Sequence, residues 1–125
     1  MARYCARYHA HLLHYSTDYV FDGSKEGWYI ESDTTNPLGV YGQSKLAGEE
    51  CIAQEFAKAS PDCCHWILRT SWVYGEGNNF IRTMLRLASE RSALRVINDQ
   101  YGVPTSADFL AQLGFQIVLS ASSAR

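Results

Sequence analysis

The sequence contains no long hydrophobic run. Its 125 residues are 46% hydrophobic and 19% charged, yet no apolar stretch approaches the ~20 residues that a membrane-spanning helix needs. The first five residues also lack the apolar core of a signal peptide. We therefore expect one globular core, located in the cytoplasm and without a membrane partner.

The sequence also has no cluster of basic residues. It contains 11 Lys and Arg against 13 Asp and Glu, for a formal net charge of −2. Nucleic acids and anionic surfaces attract proteins through concentrated positive charge. The composition therefore predicts no nucleic-acid partner.

The four cysteines lack the spacing of a metal or disulfide site. There is no Cys-x-x-Cys motif, and no histidine stands at ligand spacing from a cysteine. His9, His11 and His14 cluster near the N-terminus without a carboxylate close to them. We therefore expect free thiols and no metal site, in agreement with a reducing cytoplasm.

What the sequence does contain is an alternation of short apolar runs and helical patterns. Strands are predicted at residues 12–17, 66–68 and 94–97. Helices are predicted at residues 2–9, from about 41 to 59, at 79–91 and at 106–119, with a polar loop at 24–35 and a polar tail after 119. The alternation predicts an α/β fold with a parallel sheet flanked by helices, in one partial domain over residues 1–125.

Two of the predicted helices carry apolar stripes that we expect to be buried. The helix that ends before Pro61 has Ala47, Gly48, Cys51, Ile52, Phe56 and Ala59 on this stripe. The helix at 79–91 has Phe80, Met84, Leu87 and Ala88 on one side.

Tyr41 and Lys45 stand four residues apart in the first of these helices. That spacing places both side chains on one helix face, where an ammonium group can lower the pKa of a phenol. A free phenol, with a pKa near ~10, is a poor acid at neutral pH. The pair is therefore a candidate acid and base device, although Tyr-x-x-x-Lys alone also occurs by chance on solvated helix faces.

Polar residues follow two of the predicted strands. Thr17 and Asp18 end the first strand, and Trp72 comes shortly after the second. Ligands of open α/β sheets bind at the carboxyl ends of the strands. We therefore expect these residues to converge with Tyr41 and Lys45 on one cleft.

Four ordered segments make the interpretation more specific. They lie at residues 16–23, 36–49, 68–75 and 98–105. Their order and spacing resemble the dTDP-4-dehydrorhamnose reductases, a branch of the extended short-chain dehydrogenase/reductase superfamily. Tyr-x-x-x-Lys indicates only the superfamily, whereas Arg-Thr-Ser-Trp-Val-Tyr at 69–74 and Asp-Gln-Tyr-Gly-Val-Pro-Thr at 99–105 indicate this branch.

The resemblance implies a Rossmann-like sheet and the reduction of a sugar ketone. The 4-keto group of a dTDP-6-deoxyhexulose would accept hydride from NADPH or NADH, giving dTDP-L-rhamnose. Thr17 would hydrogen-bond the carbonyl, Tyr41 would protonate its oxygen, and Lys45 would hold the nicotinamide ribose and keep the phenol acidic. Magnesium binding and a homodimer are further implications of the family for which this sequence carries no motif.

The resemblance also assigns residues to the dTDP-sugar substrate. Asp18 and Tyr19 would contact the sugar nucleotide, and Trp72 would lie against the deoxysugar, since an indole packs well on the apolar side of a sugar ring. Without the resemblance, these residues could equally have purely structural roles. Thr17 could satisfy a loop amide, and Trp72 could belong to the core.

By the same resemblance, the sequence corresponds to the central part of a reductase, with an incomplete sheet. Such enzymes open with a strand, a glycine-rich turn and a helix that hold the cofactor pyrophosphate. Nothing before Ser16 supplies that turn, and the glycine-rich stretch at 75–80 has Phe80 where the third glycine should stand. We therefore expect the chain alone to be inactive.

Two alternatives remain open from the sequence. One is a non-catalytic protein, either a decayed fragment or a binding subunit like the reductase-related regulatory subunit of methionine adenosyltransferase. The other is a sugar-nucleotide epimerase or dehydratase, which the segment at 69–75 disfavours. The joint presence of Thr17, Tyr41 and Lys45 favours descent from an active reductase.

Overall fold

A computed structural model describes residues 1–123. In chain order its elements are α1 (Ala2–Arg7), β1 (Leu12–Thr17), the 3-10 helix η1 (Asp18–Val20), α2 (Val40–Phe56), β2 (His65–Thr70), β3 (Val73–Tyr74), α3 (Phe80–Glu90), β4 (Thr105–Ser106) and α4 (Ala107–Ser123). They form two compact units, one of Met1–Thr70 with residues 118–123 and one of Ser71–Ile117. Within residues 1–123, no helix combines the length and apolarity that crossing a membrane requires.

The first unit is built on a parallel pair of strands. β1 and β2 pair from Leu12 beside His65 to Thr17 beside Thr70. Parallel neighbours need a long crossover, and α2 lies in that crossover. The predicted α/β fold is confirmed, with a long helix between the strands predicted at 12–17 and 66–68; the second strand extends to His65–Thr70.

The core of this unit lies where α1 and α2 meet the strands. It consists of Cys5, Leu12, Ile52, Phe56 and Cys63, all buried. The cysteines are free thiols. In the part of the chain that the structure describes, no group of three or more His, Cys, Asp or Glu side chains is arranged to hold a metal ion.

The buried face of α2 differs from the predicted stripe. Ile52 and Phe56 are buried as expected, but Ala47 and Cys51 are exposed. The buried line runs instead through Gly42, the half-buried Lys45, Glu49, Ile52 and Phe56, at alternating spacings of three and four. The prediction was wrong for Ala47 and Cys51 because it followed apolar side chains only, whereas the first turns of this face pack through glycine and charged residues.

The segment between η1 and α2 is ordered by one carboxylate. Asp22 accepts hydrogen bonds from the Ser24 amide at 2.9 Å and hydroxyl at 2.7 Å, from the Tyr29 hydroxyl at 3.1 Å and from the Asn36 side chain at 2.9 Å. The Asn36 amide also donates to the Val20 carbonyl at 2.9 Å. These bonds return the chain to the end of β1 just before α2 begins.

The second unit contains a short parallel pair and two helices. β3 and β4 pair through Val73 with Thr105 and Tyr74 with Ser106. The strand predicted at 94–97 is absent, because this apolar segment has no neighbouring strand to complete its backbone hydrogen bonds. None of the residues of α3 is buried, so Phe80 and Ala88 are exposed rather than covered as predicted.

The C-terminal helix is longer than expected. α4 begins at Ala107, one residue after the predicted start, and continues to Ser123. The polar tail expected after residue 119 is therefore helical to residue 123, since alanine and serine are compatible with a helix that has already formed. The last two residues of that predicted tail lie outside the described residues.

Gly42 generates a prediction about how α2 packs. A Cβ at this position would collide with the Tyr19 carbonyl oxygen and approach the Cβ of Pro37 to 3.0 Å. We expect Gly42→Ala to lower the free energy of unfolding by about 2 kcal/mol, a typical cost of overpacking. Urea denaturation of the chain followed by circular dichroism measures this.

Gly48→Ala is the matched control in the same helix. Nothing lies within 4 Å of a Cβ at Gly48, and alanine favours a helix over glycine by about 1 kcal/mol. This control should therefore stabilise the chain. If both substitutions changed stability equally, Gly42 would not be the point at which α2 meets η1.

Candidate active site

Thr17 lies at the carboxyl end of β1 and is buried. Its hydroxyl oxygen accepts a hydrogen bond from the Tyr19 amide at 3.3 Å and its proton is donated to Asp18 Oδ1 at 3.1 Å. Thr17 thus caps η1, the local role that its position at a strand end allowed. Its contact with a substrate carbonyl stays a prediction.

Asp18 carries a carboxyl group whose pKa is raised from its ordinary value. Burial raises the pKa, and the hydrogen bonds from Thr17 and from backbone amides only partly oppose it. Asp18 is therefore more readily protonated than an exposed aspartate. It lies beside the Thr17 hydroxyl, which the family resemblance predicts to bind the substrate.

Tyr41 lies on the first turn of α2, next to the end of β1. The side chain is 59% exposed, and its ring meets the ring of Tyr19 edge-on, with 6.1 Å between centroids. The adjacent Gly42 packs against the Tyr19 carbonyl. The phenol is thus accessible to a ligand while its backbone is fixed against η1.

Lys45 reaches β1 from the next turn of α2. Its ammonium group donates a hydrogen bond to the Tyr15 carbonyl oxygen, with 2.6 Å between Nζ and O. An ammonium has three donors, so this bond anchors the side chain and leaves it able to bind a ligand oxygen. Within the first unit, the structure therefore gathers five predicted site residues around the end of β1: Thr17, Asp18, Tyr19, Tyr41 and Lys45.

An ion pair behind these residues was missed by sequence reasoning. Arg69 on β2 donates to Glu49 on α2, with 2.7 Å from Nη2 to Oε2 and 3.2 Å from Nε to each carboxylate oxygen. The side chain of Glu49 is 5% exposed and that of Arg69 is 25% exposed. The available signal was spacing, since Glu49 follows Lys45 by four residues on the same helix face.

Charge and burial around this pair shift two pKa values. Burial is the largest effect and tends to raise the pKa of Glu49, but the hydrogen bonds and the positive charge of Arg69 outweigh it, so the pKa lies below its ordinary value. The pKa of His14 is lowered by burial and by the charge of Lys45, against an opposing effect of Glu49. Glu49 is therefore ionised and His14 favours its neutral form at neutral pH.

Trp72 belongs to the second unit and has an unusual backbone. Its φ is +44°, a left-handed conformation that costs a bulky residue energy. Ser71 holds the neighbouring backbone, because its hydroxyl exchanges two 3.0 Å hydrogen bonds with the carbonyl and amide of Val103. The indole lies on Gly102 and is 44% exposed, so the core role left open for Trp72 is wrong.

The comparison with known proteins agrees with this arrangement. A family model described as the RmlD substrate binding domain matches residues 1–125. The chain belongs to that family. The parallel strands with flanking helices, together with the solved structures described below, confirm the Rossmann-like fold class predicted from the sequence.

The curated relatives that this chain resembles are dTDP-4-dehydrorhamnose reductases. The chain is 56% identical over 103 residues to a dTDP-4-dehydrorhamnose reductase of Shigella flexneri, covering 82% of this chain and 32% of the relative. It is 51% identical over 117 residues to that of Sinorhizobium fredii, covering 90% and 38%. The chain thus spans about a third of the length of the curated relatives it matches.

Solved structures show the same likeness. A dTDP-4-dehydrorhamnose reductase from Clostridium acetobutylicum superposes with a TM-score of 0.86 at 36% identity, over 97% of this chain and 41% of that one. The enzyme of Bacillus anthracis in complex with NADP gives a TM-score of 0.82 at 37% identity, over 96% and 42%.

Gly102 generates a prediction about Trp72. A Cβ at Gly102 would lie 2.8 Å from the indole Cε2, and the partly exposed ring has room to turn away. We expect Gly102→Ala to displace the indole with a stability change below about 1 kcal/mol. In NMR spectra the indole N–H signal of Trp72 should move, while those of Trp28 and Trp66 stay. An unmoved Trp72 signal would contradict the contact.

The lowered pKa of Glu49 generates a prediction about pH. Its ionised form stabilises the fold above the ordinary value of 4.5, and this contribution is lost as the pH falls through the folded-state value. Glu49→Gln should cost about 2 kcal/mol at pH 7, the range for hydrogen bonds to charged groups, and the difference from the unchanged chain should shrink below pH 4.5. Urea denaturation across this range measures it. A difference independent of pH would contradict the ion pair.

Proposed function

We propose that this chain carries the acid and base residues of a dTDP-4-dehydrorhamnose reductase, which reduces the 4-keto group of a dTDP-6-deoxyhexulose to dTDP-L-rhamnose. The observation that carries the proposal is the attachment of α2 to the end of β1: Lys45 donates to the Tyr15 carbonyl, and the Tyr41 ring meets the ring of Tyr19, two residues after Thr17. The names of the relatives from Shigella flexneri and Sinorhizobium fredii support the choice of substrate.

Three side chains of the chain act on the substrate oxygen and the cofactor ribose. Tyr41 donates its phenolic proton to the carbonyl oxygen as charge develops there. Thr17 turns its hydroxyl proton from Asp18 Oδ1 to the same oxygen, a rotation that leaves its hydrogen bond from the Tyr19 amide in place. Lys45, anchored on the Tyr15 carbonyl, offers its remaining donors to the ribose.

The proposed cofactor is NADPH, which supplies the hydride when bound. The structure of the Bacillus anthracis relative in complex with NADP supports it. The anchored ammonium of Lys45 and the exposed phenol of Tyr41 fit a ribose hydroxyl. The stretch at 75–80 does not fit a pyrophosphate, because the Asn79 side chain already accepts from the Arg82 amide at 3.0 Å and caps α3.

Asp18, Tyr19 and Trp72 are proposed to contact the dTDP-sugar. The exposed rings of Tyr19 and Trp72 support this role, since aromatic faces pack on sugars and bases. A cytoplasmic location is proposed with the four free thiols as support, and the absence of a nucleic-acid partner with the net charge of −2 as support. Magnesium and a homodimer rest on the family resemblance, and none of the described residues adds support.

Replacing Tyr41 by Phe tests the proposal. In a chimeric reductase, this chain would replace the matching segment of the Clostridium acetobutylicum relative, which superposes on 97% of it. NADPH oxidation would be followed with dTDP-4-dehydrorhamnose. We expect Tyr41→Phe to lower kcat by about 100-fold or more, the loss of a positioned general acid, with little change in sugar-nucleotide affinity. Lys45→Met should raise KM for NADPH and also change the pH profile.

Tyr4→Phe is the control for this experiment, since Tyr4 is an exposed tyrosine on α1 that packs against Tyr8. It should leave turnover unchanged. Near-normal turnover of Tyr41→Phe would show that Tyr41 is not the acid. An inactive unmodified chimera would instead favour the non-catalytic alternative.

A further inference from the structure

The ion pair between Glu49 and Arg69 has the geometry of a directional clamp. The guanidinium group makes three contacts of 2.7 to 3.2 Å with both oxygens of one carboxylate. Charged hydrogen bonds of this forked kind fix orientation as well as distance. A buried ion pair contributes little net stability compared with apolar residues of similar volume. What it adds is directional bonding, which fixes the orientation of α2 against β2 and which apolar packing would not supply.

Glu49 stands on the same face of α2 as the groups that touch the end of β1. Gly42 meets the Tyr19 carbonyl, Lys45 meets the Tyr15 carbonyl, and Glu49 meets Arg69. Successive contacts are three and four residues apart, about one helical turn. The clamp therefore lies one turn beyond the lysine that is proposed to hold the cofactor.

Arg69 also contacts the segment that follows η1. Its guanidinium lies 5.0 Å from the centroid of the Phe21 ring, and Phe21 stacks on Tyr29 at 4.2 Å. Phe21 directly follows η1. One side chain on β2 thus contacts both the helix that carries Tyr41 and the segment that follows Thr17, Asp18 and Tyr19.

The apolar contacts of α2 leave its orientation less determined. Ile52 and Phe56 pack in the core, and hydrophobic contacts are non-directional. A helix turning about its axis by one residue rotates every side chain by roughly 100°. A small part of such a rotation would separate Lys45 from the Tyr15 carbonyl and Tyr41 from Tyr19.

We propose that the Glu49–Arg69 pair is a positioning element that holds Tyr41 and Lys45 in register with the end of β1. Neither residue of the pair touches the reacting atoms. The effect on catalysis rests on the proposed function, whereas the effect on the placement of Tyr41 does not.

The placement is tested on the 125-residue chain by NMR. The edge-on rings of Tyr19 and Tyr41 should give a nuclear Overhauser effect between their protons. Glu49→Gln should weaken this signal at least threefold. Glu55→Gln is the matched control, because Glu55 lies on the same helix and pairs with Arg3, whose side chain is 86% exposed; it should leave the signal unchanged.

A double variant separates positioning from folding. Glu49→Leu with Arg69→Met removes both charges, leaves none buried alone, and should fold even where Glu49→Gln does not. We expect a folded chain in which the Tyr19–Tyr41 signal is weakened at least threefold. A folded double variant with an undiminished signal would overturn the proposal.

The same variants in the chimeric reductase test the consequence for catalysis. The double variant should lower kcat at least tenfold, because a misplacement of about 1 Å can cost on the order of 100-fold in rate, while KM for the sugar nucleotide changes less than twofold. Unchanged kcat would overturn the positioning role. If the unmodified chimera is inactive, the proposed function fails, and the NMR comparison still decides the placement.

Discussion

The contact of α2 with the β1–β2 pair is the constraint on which the rest of the first unit depends. Parallel strands require a crossover, and α2 in that crossover begins beside the end of β1. Its buried face is apolar toward the C-terminus, with Ile52 and Phe56, and polar toward the N-terminus, with Lys45 and Glu49. The same helix face therefore packs in the core at its C-terminal end and contributes side chains to the candidate site at its N-terminal end.

This division explains which features the sequence could predict. The existence of β1, β2 and α2 was predictable from short apolar runs and helical spacing, although the spacing placed Ala47 and Cys51 wrongly on the buried face of α2. The burial of Glu49 was not predictable from the sequence. A glutamate on a helix is expected to be solvent-exposed unless a partner is known, and its partner Arg69 lies 20 positions away along the chain. The run at 94–97 shows the opposite error, because an apolar pattern does not reveal whether a neighbouring strand exists.

In the candidate site, the same side chains have a structural role in the fold and a proposed role toward the substrate. Thr17 caps η1 with its oxygen while its proton rests on Asp18, so only the proton has to move to meet a substrate. Trp72 is held at positive φ with an exposed indole, and strain of this kind is frequent at functional sites. Sequence reasoning placed both residues at strand ends, but the backbone strain and the contact of Trp72 with Gly102 arise only from the folded chain.

The most direct test of the account is a crystal structure of the chimeric reductase with NADP and the product dTDP-L-rhamnose. The account predicts the Tyr41 hydroxyl and the Thr17 hydroxyl each within about 3.2 Å of the sugar 4-oxygen, as hydrogen bonding requires, with Lys45 on both the ribose and the Tyr15 carbonyl. A bound product whose 4-oxygen contacts other groups, with Tyr41 turned away from it, would contradict the assignment of Tyr41 as the acid.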